Sequence, residues 1–148
     1  MFKKILVCTD GSRLASKGVK AGVRLAAALG ARVVGVYVIP PYTPPVYGDA
    51  AIYVPGLDPK DYRKYSERQA RKALAAVEIE AQAGGVACET LYVTSAQPWE
   101  GILKTARARK CDALAMASHG RGGLGGLILG SETTRVLAHS KIPVLVCR

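Results

Sequence analysis

Two short runs of apolar residues near the N-terminus have no polar face. Residues 3–8 pass from two lysines into Ile-Leu-Val-Cys, and Val33 to Ile39 is apolar at odd and even positions alike. Because side chains alternate between the two faces of a strand, these runs predict strands that are buried on both faces. Such strands are typical of parallel sheets that helices cover on each side. The runs therefore predict the centre of an α/β fold.

Helical and extended patterns alternate along the rest of the chain. After residues 9–12 we expect a helix that either Ser12 or Asp10 can cap and that Gly30 ends. The βαβα alternation predicts an open α/β sheet with helices on both faces, and 148 residues suit one domain over positions 1–148. Further helices are expected at 61–83, 98–109 and 131–139, and further strands at 86–93, 113–117 and 142–147.

Residues 40–60 form a segment of biased composition. They contain six of the eight prolines and three of the seven tyrosines. Proline fixes φ and lacks an amide donor, so neither a helix nor a central strand is expected there. A connection of this length in a compact domain is usually functional or disordered. The sequence predicts a Pro/Tyr-rich loop.

The chain is basic, with a net charge of +10 from 21 Lys and Arg against 11 Asp and Glu. Such a charge attracts nucleotides, nucleic acids or acidic membranes without selecting among them. Arg13, Lys17, Lys20 and Arg24 share one side of the first predicted helix. We interpret this stripe as a solvated helix face in preference to a nucleic-acid footprint, so we expect no nucleic-acid partner.

No apolar run reaches the roughly 18 residues that a membrane span requires. We therefore expect a cytoplasmic protein without membrane contact. The four cysteines, Cys8, Cys88, Cys111 and Cys147, are too scattered for the paired spacings of a zinc site or a redox couple. The sequence predicts buried or inert thiols and no metal ligated by the protein.

Residues 117–131 are rich in glycine, contain no acidic residue and join a predicted strand to a predicted helix. Glycines let backbone amides approach an anion closely, and Gly130-Ser131 would place a phosphate at a helix N-terminus. Two generic motifs do not fit this segment. The dinucleotide fingerprint belongs after the first strand, and the P-loop requires a lysine after its second glycine. A phosphate-binding segment of another type is therefore predicted.

The segment resembles the nucleotide loop of the universal stress protein family. ATP-binding members carry Gly, two residues, Gly, nine residues, Gly, and then Ser or Thr; here Gly120, Gly130 and Ser131 match the last three positions. Ala117 stands in place of the first glycine. The resemblance covers the whole chain, from residues 4–7 and 9–12 to the closing Ile-Pro-Val-Leu-Val at 142–146.

The resemblance implies a Rossmann-like fold, similar to the adenine nucleotide alpha hydrolases, with five parallel strands in the order 3-2-1-4-5. It implies that ATP, or AMP or ADP, binds where the first and fourth strands lie side by side, with Mg²⁺ or Mn²⁺ held by the phosphates. It further implies a homodimer through strand 142–147. The implied binding residues are Thr9, Asp10, Val38, Ala117, Ser118, His119, Gly120, Arg121, Gly130, Ser131, Glu132 and Thr133.

Individual roles follow from the same resemblance. Asp10 would accept hydrogen bonds from the ribose, and Val38 would offer backbone groups to adenine. Each polar residue also has a plainer interpretation: Asp10 as a helix cap, Glu132 as a favourable charge in a first helical turn, and His119 as a loop residue with a backbone partner. These alternatives stay open at the level of the sequence.

The sequence shows a phosphate cradle without the base, charge clamps and fixed metal site that phosphate-ester hydrolysis requires. We therefore predict a stress-response regulatory or signalling module with at most slow ATP hydrolysis. Two other functions stay open. One is a dimeric interaction module that binds no nucleotide, and the other is a basic nucleic-acid-binding module.

Overall fold

The structure, a computed structural model, alternates strands and helices along the chain. It describes residues 1–44, 46–47, 50–51, 58–120 and 129–148. Within these ranges the strands are β1 (Lys4–Cys8), β2 (Arg32–Ile39), β3 (Val46–Tyr47), β4 (Ala50–Ala51), β5 (Cys88–Thr94), β6 (Ala113–Ala117) and β7 (Val144–Cys147). The helices there are α1 (Arg13–Leu29), α2 (Pro59–Ala83), α3 (Pro98–Ala108) and α4 (Ser131–His139).

In the described part of the chain, five strands form a parallel sheet in the order β5-β2-β1-β6-β7. When the five strands of this sheet are counted along the chain, without β3 and β4, their order is 3-2-1-4-5. The predicted order is confirmed. The central strand is β1, whose Leu6 lies opposite Val34 on one side and Leu114 on the other. From β1 the chain adds β2 and β5 on one side of the sheet and then β6 and β7 on the other. The strand order therefore reverses between β1 and β6, and open α/β sheets bind ligands at such a switch point.

Both faces of the sheet are covered, which explains why the central strands have no polar face. Alternate residues of each strand enter two separate apolar clusters. Ile5 and Val7 pack with residues of α1 and α2, whereas Leu6 and Cys8 pack with residues of α3 and α4. The predicted layer of helices on each face is confirmed. The helix residues in these clusters are Val19, Val23, Ala26, Val77 and Ala81 on one face and Ile102, Ala106 and Val136 on the other.

The ends of α1 decide which residue caps it. The Ser12 side chain accepts a hydrogen bond from the Ala15 amide at 3.1 Å, so Ser12 is the N-cap. Asp10 instead accepts from the Ser12 amide at 2.9 Å and shapes the turn that precedes the helix. Gly30 ends α1 at φ 61°, a left-handed conformation that favours glycine. The basic stripe of α1 is exposed.

Close packing of α1 against β6 brings the start of the helix beside the end of that strand. A β-carbon at Gly18 would lie 2.8 Å from the Ala117 amide nitrogen, closer than any side chain tolerates. Hence α1 packs directly on the backbone of the sheet. Asp10, which precedes α1, therefore lies near the carboxyl end of β6.

The structure describes part of the predicted Pro/Tyr-rich loop at 40–60, and two short strands lie within it. β3 and β4 pair antiparallel with each other and stand apart from the parallel sheet. The helix α2 begins at Pro59, two residues before its predicted start, because Asp58 accepts from the Asp61 amide at 2.8 Å and proline fits the first turn. Residues 45, 48, 49 and 52–57 lie outside the described residues.

Two predicted strands begin later than expected, for local reasons. β5 begins at Cys88 because the Val86 amide still donates to the Ala81 carbonyl at the end of α2. β7 begins at Val144 because the Ser140 hydroxyl bonds both backbone groups of Ile142 and turns the chain there. Across the described ranges, no helix has the length and apolar character needed to cross a bilayer.

Candidate functional site

A cavity of about 380 Å³ opens at the carboxyl ends of β1, β2 and β6. It therefore lies at the switch point of the sheet, between α1 on one side and α3 and α4 on the other. Its lining contains most of the residues that the sequence nominated: Thr9, Asp10, Val38, Ala117, His119, Gly120, Gly130, Ser131, Glu132 and Thr133.

One nominated residue of the described structure, Ser118, does not line this cavity. Ser118 is 2% exposed, and its hydroxyl lies 3.0 Å from Nδ1 of His119, so it supports the chain behind the cavity wall. Arg121 lies outside the described residues, as do the crowded glycines at 122–126.

The sequence analysis missed an apolar part of the wall. It is formed by Cys8, Ala15, Val36, Pro98, Ile102 and Met116. Apart from Pro98 these positions follow the pattern of ordinary core residues, and most of them also belong to the core beneath α3 and α4. One signal was available, because Val36 lies two positions before Val38 on the same strand and so shares its face.

Three hydrogen bonds fasten both ends of the glycine-rich segment to the sheet. The Ser118 amide donates to the Cys147 carbonyl at 2.7 Å, and the Gly130 amide donates to the Ser118 carbonyl at 2.9 Å. The Thr133 hydroxyl, 2% exposed, donates to the Ala117 carbonyl at 3.1 Å. The first turn of α4 is thus held against the end of β6.

Glycine at position 130 is favoured by the close approach of the backbone and not by its conformation, since its φ of −61° suits any residue. A β-carbon there would lie 3.2 Å from the Ser118 carbonyl oxygen and 3.3 Å from Cα of His119. As the N-cap of α4, Gly130 also has no side chain with which to cap the amides of the first turn. The residues of this first turn line the cavity, so the positive end of the helix lies at its wall, an arrangement that favours an anion.

Asp10 lines the same cavity and lies against Gly120. Its Oδ1 accepts from the Ser12 amide, while its Oδ2 lies 3.0 Å from where a β-carbon of Gly120 would be. The adjacent Thr9 amide donates to the Val36 carbonyl at 3.1 Å, and the Thr9 hydroxyl accepts from the Gly11 amide. The carboxylate is therefore oriented by a rigid turn and faces the glycine-rich segment.

Glu132 and His119 both have partners. Oε2 of Glu132 accepts from the Trp99 amide at 2.8 Å, and Oε1 lies 3.5 Å from Nη1 of Arg135. His119 pairs with the Ser118 hydroxyl, where a backbone partner was the plainer expectation. Among the described residues, no group of three or more His, Cys, Asp or Glu side chains is arranged as a metal site.

The thiol of Cys8 contributes to the apolar wall. It is buried, and this burial, with a smaller contribution from Cys111, raises its pKa far above the ordinary thiol value. The group is therefore neutral at physiological pH. The cavity combines this apolar wall with a carboxylate and with helix amides, so it suits a ligand that has an apolar ring, hydroxyl groups and an anion.

Known proteins with similar sequences include members of one family. The sequence model of the Universal stress protein family matches residues 1–148. A universal stress protein of Thermus aquaticus is 32% identical over 148 residues, which cover 100% of each chain.

Solved structures agree with the fold. A universal stress family protein from Burkholderia pseudomallei superposes with a TM-score of 0.73 at 27% identity, covering 97% of this chain and 94% of that one. A universal stress protein in complex with cAMP gives 0.71 at 24% identity, with 99% and 97% covered. One from Archaeoglobus fulgidus in complex with dAMP gives 0.69 at 18% identity, with 99% and 98% covered.

Proposed function

This chain belongs to the universal stress protein family, and we propose that it binds an adenine nucleotide in the cavity between Asp10 and the start of α4. The observation that carries the proposal is that Asp10, Gly120 and Gly130 line one cavity at the sheet's switch point, with the Asp10 carboxylate held against Gly120. The complexes of similarly folded proteins with cAMP and dAMP support the ligand class.

The lining indicates how such a ligand would lie. The adenine ring packs on the apolar wall at Val36 and Val38, and the ribose hydroxyls donate to the Asp10 carboxylate. The phosphates lie at Gly120, Gly130 and Ser131, where amides and the helix dipole stabilise negative charge. His119 and Thr133 flank them. In this proposal Arg121 adds positive charge to the phosphate site, and Mg²⁺ or Mn²⁺ is carried by the phosphates of ATP.

We propose a cytoplasmic regulatory or signalling module of the stress response, with at most slow hydrolysis of ATP. In this proposal the ribose hydroxyls occupy the Asp10 carboxylate, while the Trp99 amide and Arg135 occupy that of Glu132, and this supports a binding role. A general base needs a carboxylate or imidazole free to take a proton from water.

A nucleotide titration of three variants tests the site. Ala117→Gly restores the family's first glycine and is expected to bind ATP more tightly. Gly130→Asp places a side chain against the Ser118 carbonyl and a negative charge beside the phosphates, so binding is expected to be lost. Gly85→Asp is the matched control, because it adds the same charge at a position with open space around it and away from the cavity; its φ of 65° strains any side chain, so circular dichroism first confirms that this variant is folded.

Isothermal titration and native mass spectrometry report the outcome directly. Equal behaviour of the wild type, Ala117→Gly and Gly130→Asp would contradict the proposed site. A thermal shift with short DNA but none with ATP and Mg²⁺ would favour the nucleic-acid module, and no shift with either would favour the interaction module.

We also propose a homodimer through residues 142–147. β7 lies at an edge of the sheet, and Leu145 on it is 38% exposed. An apolar edge strand is stabilised by pairing with a second copy. Light scattering at micromolar concentration should give a dimer for the wild type and a monomer for Leu145→Lys; a monomeric wild type would contradict the proposal.

A further inference from the structure

Glu132 connects two helices at the rim of the cavity. It belongs to the first turn of α4, yet its Oε2 accepts from the Trp99 amide in the first turn of α3 at 2.8 Å. Its Oε1 lies 3.5 Å from Nη1 of Arg135, so both oxygens have partners within the protein. The carboxylate thus spans from the helix that faces the phosphates to the helix that forms the apolar wall.

The N-terminus of α3 depends on this contact. Its own N-cap, Gln97, makes no capping hydrogen bond; its Oε1 accepts instead from Nε1 of Trp99 at 3.0 Å and from Arg135 at 3.2 Å. A carboxylate that accepts from a first-turn amide acts as a cap and also complements the helix dipole. Glu132 therefore caps α3 from another element.

The position of α3 is transmitted to the cavity. Pro98 and Ile102 of this helix line the wall. Gly101 packs so closely on β2 that a β-carbon would lie 3.3 Å from the methyl groups of Val38 and 3.0 Å from Cβ of Ser95. A displacement of the first turn of α3 would consequently shift Pro98 and Ile102 and change the packing of α3 on Val38, where the adenine ring is placed.

We propose that Glu132 is a positioning residue of the nucleotide site: it fixes the spacing between the phosphate-facing start of α4 and the wall formed by α3. It does so through the Trp99 amide and does not ligate the cation that accompanies ATP. This inference rests on the proposed function for its ligand, but the contact between Glu132 and Trp99 exists without nucleotide.

Two variants of Glu132 separate positioning from cation binding. Glu132→Gln keeps an acceptor oxygen of the same reach and removes the charge, whereas Glu132→Ala removes the acceptor. Loss of a cap weakens nucleotide binding about five- to tenfold in Glu132→Ala, and Glu132→Gln recovers most of that loss. The effects should be equal with Mg²⁺ and with EDTA.

Glu100→Ala is the matched control. Glu100 lies in the first turn of the same helix and forms an exposed pair with Lys104 at 3.6 Å, so its removal changes the same charge without a cap across helices. We expect its nucleotide affinity to stay within twofold of the wild type. Circular dichroism confirms that each variant is folded at the titration temperature.

A readout without nucleotide keeps the inference independent of the proposed function. Exchange of the Trp99 amide hydrogen, followed by NMR on the nucleotide-free protein, should be faster in Glu132→Ala by about tenfold and close to the wild type in Glu132→Gln. If the wild type binds no nucleotide, the proposed function is wrong. The exchange measurement still tests the contact between Glu132 and the Trp99 amide, because it needs no nucleotide.

Three outcomes would overturn the inference. The first is Trp99 exchange that does not change in Glu132→Ala. The second is an equal loss of affinity in Glu132→Gln and Glu132→Ala that is confined to Mg²⁺ conditions, which would make Glu132 a partner of the cation. The third is a loss in Glu100→Ala as large as that in Glu132→Ala.

Discussion

A β-carbon at Gly120 would lie 3.0 Å from Oδ2 of Asp10, so the glycine-rich segment and the end of β1 meet with no room between them. The two residues are distant in the chain and meet because β1 and β6 are neighbours in the sheet. Asp10 cannot simply turn away, since its other oxygen holds the Ser12 amide.

Gly120→Ala is therefore expected to displace the Asp10 carboxylate and to weaken nucleotide binding about threefold to tenfold, a cost of roughly 1 kcal/mol. Its melting temperature should hardly change, because Gly120 is exposed. The same substitution in an Asp10→Ala background should have no further effect on the dissociation constant. An equal loss in both backgrounds would show that the contact with Asp10 is irrelevant.

Thr133→Val should lower the free energy of unfolding by about 1–2 kcal/mol, because it leaves the Ala117 carbonyl without its buried donor. Thr134→Val is the matched control. The Thr134 hydroxyl donates to the Gly130 carbonyl at an exposed site, so its loss should cost less than about 0.5 kcal/mol. Urea unfolding measures both, and similar costs would argue against the buried link between α4 and β6.

Gly18→Ala should destabilise the fold by about 1–3 kcal/mol although alanine favours helices. The added carbon would meet backbone atoms of Met116 and Ala117, which cannot move aside as a side chain can. Ser16→Ala, on the exposed side of the same helix, should leave the unfolding free energy nearly unchanged. A stabilised Gly18→Ala variant would refute the close contact of α1 with β6.

The buried thiols should make stability fall in alkaline solution. Burial raises the pKa of Cys111 from an ordinary 9.0 to about 11, and it raises the pKa of Cys8 further still. Between pH 9 and 11 the unfolded chain loses these protons while the folded chain keeps them. The unfolding free energy should therefore decrease as pH rises through this window.

Urea midpoints of the wild type, Cys111→Ala and Cys147→Ala between pH 8 and 11 test this expectation. The decrease should be smaller in Cys111→Ala than in Cys147→Ala, because Cys147 is only half-buried. Identical slopes in the three proteins would show that other groups cause the pH dependence.

The periodicity of apolar residues predicted the strands of the sheet and the helices that cover it. A run such as residues 5–8, which is apolar at every position, fits a strand that is buried on both faces and few other environments. It could not order the strands, because pairing is set by contacts between distant segments; the order came from the family resemblance. Ser12 and Asp10 both suit a helix cap chemically, and only the backbone geometry of the turn assigns Ser12 to that role.

The candidate site was predictable where glycines and polar residues carried it. Ile102 and Met116 were missed because residues of a cavity wall and residues of a packed core follow the same apolar pattern in the sequence. They differ only in whether the side chain contacts a cavity or other side chains. The hydrogen bond that Glu132 accepts from α3 also could not be predicted from the sequence. Its partner is a backbone amide, that of Trp99, in a helix far away in the chain, and backbone groups leave no signature in the side-chain pattern.

The central place of β1 has a consequence for how the protein forms during synthesis. Ile5, Leu6 and Val7 are fully buried in β1, which pairs with β2 on one side. On its other side β1 pairs with residues 113–115 of β6. Until the ribosome has produced those residues, β1 can pair only with β2 and exposes a long apolar edge to other chains. Pairing over such a separation is slow, so the nascent N-terminal half has the greatest need of protection against aggregation.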